Sequence, residues 1–169
     1  DFRAGQFLVL VDAPEREDEG DLIVAAEHVT GAKINRMLKD ARGMLHLATT
    51  EDHLARLGIG LIEAHNADPN TPRFGLPFDA VAGVTTGVSA ADRAASILRV
   101  LDPEAGPGDF VIPGHVLPLA ARPEGLLGRQ GHTEGSVELA RRAGLFPAAV
   151  MSEVMAADGS MARGQQLVD

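Results

Sequence analysis

Short apolar runs alternate with segments of helical spacing along this chain. Six runs have the apolar or alternating character of strands, at 7–11, 22–26, 43–48, 110–112, 115–121 and 147–154. Three segments have helical spacing, at 31–42, 90–101 and 134–143. Because strands and helices are interleaved, the pattern predicts a mixed α/β (α+β) fold. We expect residues 1–169 to form a single domain.

Local signals predict where the helices begin and end. Ser89 and Asp92 form an S-x-x-D capping pattern at the start of the second helix. The third helix is predicted to start at Thr133 and to stop before Gly144, a residue suited to the position after a helix. Prolines and asparagines crowd the segment 58–80, which predicts a long surface loop.

Composition narrows the classes of partner. The formal net charge is −9 and aromatic residues make up 4% of the chain, whereas nucleic-acid binding needs a basic face and stacking side chains. No apolar run approaches the roughly 20 residues of a membrane span, and no signal-peptide pattern opens the sequence. The absence of cysteine excludes thiolate metal sites. We expect a cytoplasmic protein with neither nucleic acid nor membrane as a partner.

An acidic run, Arg16-Glu17-Asp18-Glu19-Gly20-Asp21, separates the first two predicted strands. Neighbouring carboxylates raise one another's pKa and oppose joint ionisation, so a folded protein needs something to offset them. A divalent cation such as Mg²⁺, which takes oxygen ligands, would do so. The alternative is a solvated acidic turn.

A second polar cluster, Gly128 to Glu134, lies at the predicted start of the third helix. Free N–H groups at a helix start and the guanidinium of Arg129 suit a phosphate. Gly131 allows close approach of the backbone, and His132 offers a metal ligand or a proton carrier. The alternative is an ordinary helix cap beside a surface histidine.

Two further titratable residues lie in apolar surroundings. His115 follows a Pro-Gly pair at the start of a predicted strand, where it is either a catalytic group or a structural hydrogen-bonding residue. Glu153 lies in the apolar run 147–154, where it is paired, metal-bound or protonated if buried, or solvated if alternation turns it outward. The sequence contains neither a P-loop nor a G-x-S-x-G nucleophile elbow.

Taken together, these segments resemble the 3,4-dihydroxy-2-butanone 4-phosphate synthase family of riboflavin biosynthesis. The matching segments are Arg16-Glu17-Asp18-Glu19-Gly20-Asp21-Leu22-Ile23, Gly83-Val84-Thr85-Thr86-Gly87-Val88-Ser89-Ala90-Ala91-Asp92-Arg93, Pro113-Gly114-His115, Gly131-His132-Thr133-Glu134 and Asp158-Gly159-Ser160-Met161-Ala162-Arg163. The resemblance implies a three-layer α-β-α sandwich around a mixed sheet, and a homodimer with active sites near the subunit interface. It also implies a lyase that converts the sugar phosphate ribulose 5-phosphate, with Mg²⁺ or Mn²⁺, to the four-carbon phosphate and formate.

The resemblance also implies roles for individual residues. Glu17 and His132 match metal ligands, and His115 and Glu153 match residues essential for catalysis. The positions that match substrate contacts are Arg16, Glu17, Glu19, Asp21, Arg129, Gln130, Gly131, His132, Thr133 and Glu153.

The chain departs from the family in three places. Many members carry cysteine where this chain has His46 and Ala48, and a Thr/Val strand where it has 72–78. Prolines in that segment make a regular central strand improbable. We expect the family's last helix and strand to be cut short after Arg163 and no cyclohydrolase domain to follow. Two alternatives therefore stand beside the riboflavin reaction: a related sugar-phosphate rearrangement, and a non-catalytic binding homologue.

Overall fold

The structure is a computed structural model that describes residues 1–66, 68 and 70–168. Seven strands form its sheet: β1 (Leu8–Val11), β2 (Gly20–Ala25), β3 (Arg42–Thr50), β4 (Arg73–Phe74), β5 (Phe78–Ala80), β6 (Phe110–Ala121) and β7 (Ala149–Val154). The α-helices are α1 (Gly31–Asp40), α2 (Glu51–Arg56), α3 (Ala90–Val100) and α4 (His132–Arg142). Short 3₁₀ helices cover Phe2–Ala4, Ala26–His28, Pro107–Asp109, Gly125–Leu127 and Gly164–Leu167.

The sheet is mixed, which confirms the predicted fold class. Its strand order is β1-β2-β7-β3-β6-β4, and β5 pairs with β6 beyond this path. β3 and β6 run parallel, whereas the remaining pairs are antiparallel. The two faces of the sheet carry separate apolar cores. One core takes Ile34 of α1, Leu54 of α2 and Ile97 of α3, and the other takes Val137 and Ala140 of α4. The molecule is therefore a three-layer α-β-α sandwich.

Alternation along the strands decides which residues meet α4. In β2, Ile23 and Ala25 point to the α4 side while Val24 belongs to the opposite core. In β7, Ala149 and Met151 likewise pack on the α4 side. Because side chains alternate with period two, the next positions on the α4 side are Asp21 in β2 and Glu153 in β7, and both are polar. This alternation places the site described below.

Several predicted boundaries are confirmed and others are wrong. The Ser89 hydroxyl accepts a hydrogen bond from the Asp92 N–H at 3.0 Å, and Gly144 has a φ of +72°, as expected for these helix ends. α1 ends at Asp40 rather than at residue 42, because Arg42 adopts a left-handed φ of +69° and opens β3. α4 begins at His132, capped by the Gly131 backbone, so Thr133 lies inside the first turn and is not the cap.

The segment 58–80 was predicted to be a loop, and this is wrong for two short stretches. Arg73–Phe74 and Phe78–Ala80 both pair with β6, which runs unbroken through the Pro113-Gly114 step where two strands were predicted. Pro72 and Pro77 each lie immediately before a strand, where a missing N–H removes no ladder bond. The predictions also missed α2. In the described part of the chain, no helix has both the length and the hydrophobicity of a membrane span.

Candidate functional site

A cleft of about 130 Å³ opens at the polar end of the α4 side of the sheet. Asp21 of β2 lies directly opposite Glu153 of β7 in the strand register, and His46 of β3 lies opposite Met151. The cleft lining gathers residues from the acidic run, three strands and the start of α4: Arg16, Glu17, Glu19, Asp21, His46, Pro72, Phe74, Leu119, Arg129, His132, Thr133, Met151 and Glu153. Segments more than 100 residues apart in sequence therefore form one site.

The segment between β1 and β2 is held by Asp12, which sequence reasoning did not select. Its Oδ1 accepts the backbone N–H of Glu19 at 3.0 Å, and its Oδ2 accepts Nη1 of Arg16. The same Nη1 donates to Oε2 of Glu17 at 2.8 Å. Burial raises the pKa of Asp12, but these hydrogen bonds and the nearby cations outweigh it and hold that pKa below its usual range. Asp12 therefore fixes the chain that carries Glu17 and Glu19.

Asp21 lies inside β2 rather than in the acidic turn, and it is 1% exposed. Its Oδ1 has no hydrogen-bond partner among the described residues, and Nδ1 of His132 lies 3.6 Å away. Burial, followed by the charges of Glu153 and Glu17, raises the pKa of Asp21 to about 8. A buried carboxyl with an open oxygen and acidic neighbours is a position that a cation would stabilise.

A register irregularity in β3 orients the side chain of Glu153. The pairing register of β3 with β7 shifts between Arg42 and Leu45, and the exposed Met44 N–H donates to Oε2 of Glu153 at 2.8 Å. A Cβ on Gly43 would overlap Glu153, so the close approach of the carboxylate requires glycine there. The other oxygen, Oε1, lies 3.7 Å from Nδ1 of His46. Bulges beside functional sites commonly re-aim side chains in this way.

The start of α4 supplies the cationic side of the cleft. Arg129 is 8% exposed; its Nη1 donates to Oε2 of Glu134 at 2.8 Å and its Nε donates to the Asn70 carbonyl at 2.8 Å. Its guanidinium lies over Gly131, where a Cβ would overlap it. Thr133 is buried in the first turn, beside N–H groups that a helix leaves unpaired.

Two residues of this segment do not reach the cleft. Gln130 and Gly131 line a neighbouring groove with Leu10 and Leu139. The exposed Gln130 therefore faces away from Asp21 and Glu153. The family resemblance predicted substrate contacts along the whole stretch from Arg129 to Thr133. In the structure, Arg129, His132 and Thr133 line the cleft, whereas Gln130 and Gly131 line the neighbouring groove.

Three ligand atoms converge at the edge of the cleft. Those of Asp12, Glu17 and His132 all lie within 4.8 Å of one another. Nε2 of His132 is buried without a hydrogen-bond partner in the described part of the protein, and burial lowers the pKa of His132, which favours the neutral ring that binds metals. Carboxylate oxygens with one imidazole suit a divalent cation such as Mg²⁺ or Mn²⁺.

His115 lies outside this cleft. Its Nδ1 is 2.7 Å from Oδ2 of Asp79, and its backbone N–H donates to Oδ1 of the same carboxylate at 2.9 Å. Gly87, with a φ of +88°, approaches both side chains so closely that a Cβ would overlap them. The His115 side chain is 45% exposed whereas Asp79 is buried, so His115 reaches the surface and does not meet Glu153 within the chain.

Comparisons with known proteins show the family of this chain. A family model described as 3,4-dihydroxy-2-butanone 4-phosphate synthase matches residues 1–169. The chain belongs to that family. It is 48% identical over 171 residues to the riboflavin biosynthesis protein RibBA of Aquifex aeolicus, an alignment that covers 100% of this chain and 42% of that protein.

Solved structures of the family share the fold. RibBX, a two-domain 3,4-dihydroxy-2-butanone 4-phosphate synthase from A. baumannii, superposes with a TM-score of 0.94 at 43% identity, covering 99% of this chain and 49% of that chain. A synthase in complex with two magnesium ions superposes with a TM-score of 0.92 at 38% identity, covering 99% of this chain and 83% of that one. The chain thus spans less than half the length of RibBA and RibBX.

Sequence reasoning missed His46, which lines this cleft, and Asp79, which holds His115 outside it. His46 carried a weak signal, since it is the one polar residue in the run Leu45-His46-Leu47-Ala48. Asp79, the partner of His115, lies in the stretch predicted as a loop and carried no signal. A larger groove, of about 600 Å³, lies at Phe7 and Met155, and its lining in the described residues has no histidine.

Proposed function

We propose that this chain converts ribulose 5-phosphate to 3,4-dihydroxy-2-butanone 4-phosphate and formate in riboflavin biosynthesis. The observation that carries the proposal is the single cleft that gathers Glu17, Asp21, His132 and Glu153 in a chain of this family. The two products together contain every atom of the substrate, so the reaction needs neither an oxidant nor a reductant. It needs proton transfers and stabilisation of developing negative charge.

The metal part of the proposal rests on the donor set. Glu17 and His132 would hold a divalent cation, and Asp12 lies close enough to take part. When bound, Mg²⁺ supplies Lewis-acid stabilisation of negative charge on adjacent substrate oxygens. Asp12 is already bonded to Arg16 and Glu19, so its main contribution is to position the loop that bears Glu17.

The other residues of the cleft bind the sugar phosphate and move protons. Thr133 and the free N–H groups of the α4 start would take the phosphate, with Arg129 as the nearby cation. Asp21 would take sugar hydroxyls through the oxygen that has no partner in the described residues. Glu153, with one oxygen fixed by Met44, is placed to accept the proton beside the carbonyl.

The surface position of His115 supports a homodimer. The His115–Asp79 pair adjoins exposed apolar side chains, among them Val111 (51%), which pairs with Asp79 in the strand register, and Val88 (55%), next to Gly87. Exposed apolar residues grouped around a polar pair are typical of an interface. We infer that a second copy covers this surface and that His115 of one subunit completes the cleft of the other.

Mixed dimers test the shared site. His115→Ala and Glu153→Gln homodimers should each be nearly inactive, whereas random mixing should restore about a quarter of wild-type activity, because half the dimers are mixed and each holds one intact site. Sedimentation velocity measures the assembly itself. A fully active monomer, or no recovery in confirmed mixed dimers, would show that His115 does not act across subunits.

Product analysis tests the reaction. The chain is incubated with ribulose 5-phosphate and Mg²⁺, and formate and the four-carbon phosphate are measured by ¹³C NMR, with Glu17→Gln as the control. Formation of both products by the wild type and not by the variant supports the proposal. An unchanged substrate would contradict it.

One observation favours a second candidate function, a related sugar-phosphate rearrangement. Pro72 and Phe74, which belong to the segment that departs from the family, line the cleft itself. Different residues lining the cleft beside the substrate can change which carbon group migrates in the reaction. The same NMR experiment separates the two functions, because a five-carbon product without formate would indicate the rearrangement.

A further inference from the structure

We propose that His46 is a substrate-contacting residue of this cleft, with Nδ1–H directed at Glu153 and Nε2 accepting a hydrogen bond from a substrate hydroxyl. The inference rests on the proposed function. It goes beyond that function because it assigns a role to a histidine that the predicted site did not include.

The first observation is that the ring is buried without a hydrogen bond of normal geometry to any described residue. His46 is 2% exposed, and neither ring nitrogen has a hydrogen-bond partner in the described residues. A buried polar group without a partner costs about 1–3 kcal/mol. Buried polar atoms of this kind are uncommon unless a ligand or water satisfies them.

The second observation is the position of the ring. His46 lines the same cleft as Asp21 and Glu153, and its ring packs edge-on against Phe74 with the centroids 5.7 Å apart. Alternation places Leu45 and Leu47 in the core on the opposite face of the sheet, so His46 is a polar residue of β3 on the α4 side. A packing role alone would not require a ring with two nitrogens there.

The third observation concerns which nitrogen carries the proton. Nδ1 lies 3.7 Å from Oε1 of Glu153, beyond a normal hydrogen bond but close enough to tighten when a ligand closes the cleft. Burial lowers the pKa of His46 and outweighs the opposing effects of the Glu153 charge and the Met44 backbone, which favours the neutral ring. Because Oε2 of Glu153 already accepts the Met44 N–H, Oε1 is the acceptor that faces Nδ1, so Nδ1 carries the hydrogen and Nε2 is left as an acceptor.

Three substitutions separate the two nitrogens. His46→Gln keeps an acceptor near the position of Nε2, His46→Asn keeps a polar group near Nδ1, and His46→Phe removes both while keeping the ring edge. Losing the partner of a substrate hydroxyl should lower kcat/KM for ribulose 5-phosphate about 5- to 150-fold in the Phe and Asn variants. The Gln variant should retain more activity than either.

The matched control is His53→Phe. His53 is also a partly buried histidine packed edge-on against a phenylalanine, Phe146, but it bonds to the Val100 carbonyl and lies outside the cleft. Its replacement should lower the melting temperature and leave kcat/KM unchanged. If His46→Phe keeps wild-type kcat/KM, His46 does not contact the substrate and the inference is wrong.

A second measurement needs no variant and no turnover. Two-bond ¹⁵N–¹H spectra of histidine-labelled wild-type protein in EDTA should show His46 as the neutral Nδ1–H tautomer, and ribulose 5-phosphate should shift its Nε2 resonance. The Nε2–H tautomer, or no shift at saturating ligand, would overturn the inference. If the wild type releases no formate the proposed function fails, yet this spectrum still decides the role of His46.

Discussion

Asp21→Asn should stabilise the metal-free protein at alkaline pH while abolishing turnover. The Asp21 carboxyl is nearly inaccessible, and one of its oxygens has no partner in the described residues. Glu153 stands directly across the strand pair, and Glu17 and Glu19 add negative charge. Asparagine keeps the shape of the side chain but cannot ionise, so the substitution removes a buried charge that nothing in the metal-free cleft offsets.

The sign and size of the effect follow from the pKa of Asp21, which is raised from 3.8 to about 8. Between these values the folded protein holds a proton that the unfolded chain has lost. The contribution to stability is therefore complete below about pH 4 and is lost as the pH rises through about 8. At about 1.4 kcal/mol for each pH unit, the upper bound is on the order of 6 kcal/mol. Relaxation and water entry reduce it, so we expect about 2–3 kcal/mol.

The assay is urea unfolding in EDTA at pH 5 and pH 8.5. Wild type should lose stability between the two values and Asp21→Asn should lose much less, so the advantage of the variant should be much smaller at pH 5 than at pH 8.5. Asp92→Asn is the control, because the pKa of Asp92 is shifted in the opposite direction from that of Asp21. Hydrogen bonds from Thr85, Gly87 and Ser89 lower the pKa of Asp92, so its contribution is present above pH 4 and is lost as the pH falls through its folded pKa.

Two results would refute this reasoning. If Asp21→Asn is less stable than wild type at pH 8.5, the carboxylate is compensated by groups other than a metal. If wild type is equally stable at both pH values, Asp21 ionises normally in the fold. Adding Mg²⁺ at pH 8.5 should stabilise wild type more than the variant, because a bound cation also offsets the Asp21 charge, which the variant lacks.

Three further predictions concern other residues. Glu17→Gln and His132→Ala should each abolish both turnover and the rise in melting temperature on adding Mg²⁺, with unchanged circular dichroism; retained turnover in EDTA would contradict the metal assignment. Glu153→Gln should lower kcat by about 10² to 10⁴ while substrate affinity, measured by calorimetry, changes much less; near-normal kcat would exclude its role in proton transfer. Gly87→Ala should cost at least about 1–2 kcal/mol in urea unfolding, because its left-handed φ and the overlap with Asp79 both oppose a Cβ; equal stability would show that the loop can move.

Much of the fold could be predicted because alternation and capping act locally. The run 22–26 and the S-x-x-D pattern at Ser89 depend on neighbours in sequence, and both appear in the structure as expected. β4 and β5 could not be predicted, since two or three residues carry no measurable period. They become strands because the long strand β6 offers them an unpaired edge.

Site residues in dense charged segments could be predicted from the sequence. Site residues whose role depends on a partner far away in the sequence could not. Glu17 and His132 stand out in polar clusters, and the structure brings them together. His46 and Asp79 are single polar residues whose roles depend on partners 107 and 36 positions away, at Glu153 and His115. No local pattern contains that information.

The strand pattern that builds the core also explains why this site costs stability. On the α4 side, β2 and β7 pass from Ile23 and Met151 to Asp21 and Glu153, so the apolar pair packs against the helix and the acidic pair lies at its start. His132, the first residue of α4, lies 3.6 Å from Asp21, and the positive end of a helix favours negative charge by about 0.3–1 kcal/mol. That gain is smaller than the cost of the buried carboxylate estimated above. A bound cation is therefore the group best able to offset the remaining charge, so metal binding should strengthen as the pH rises while the stability of the metal-free protein falls.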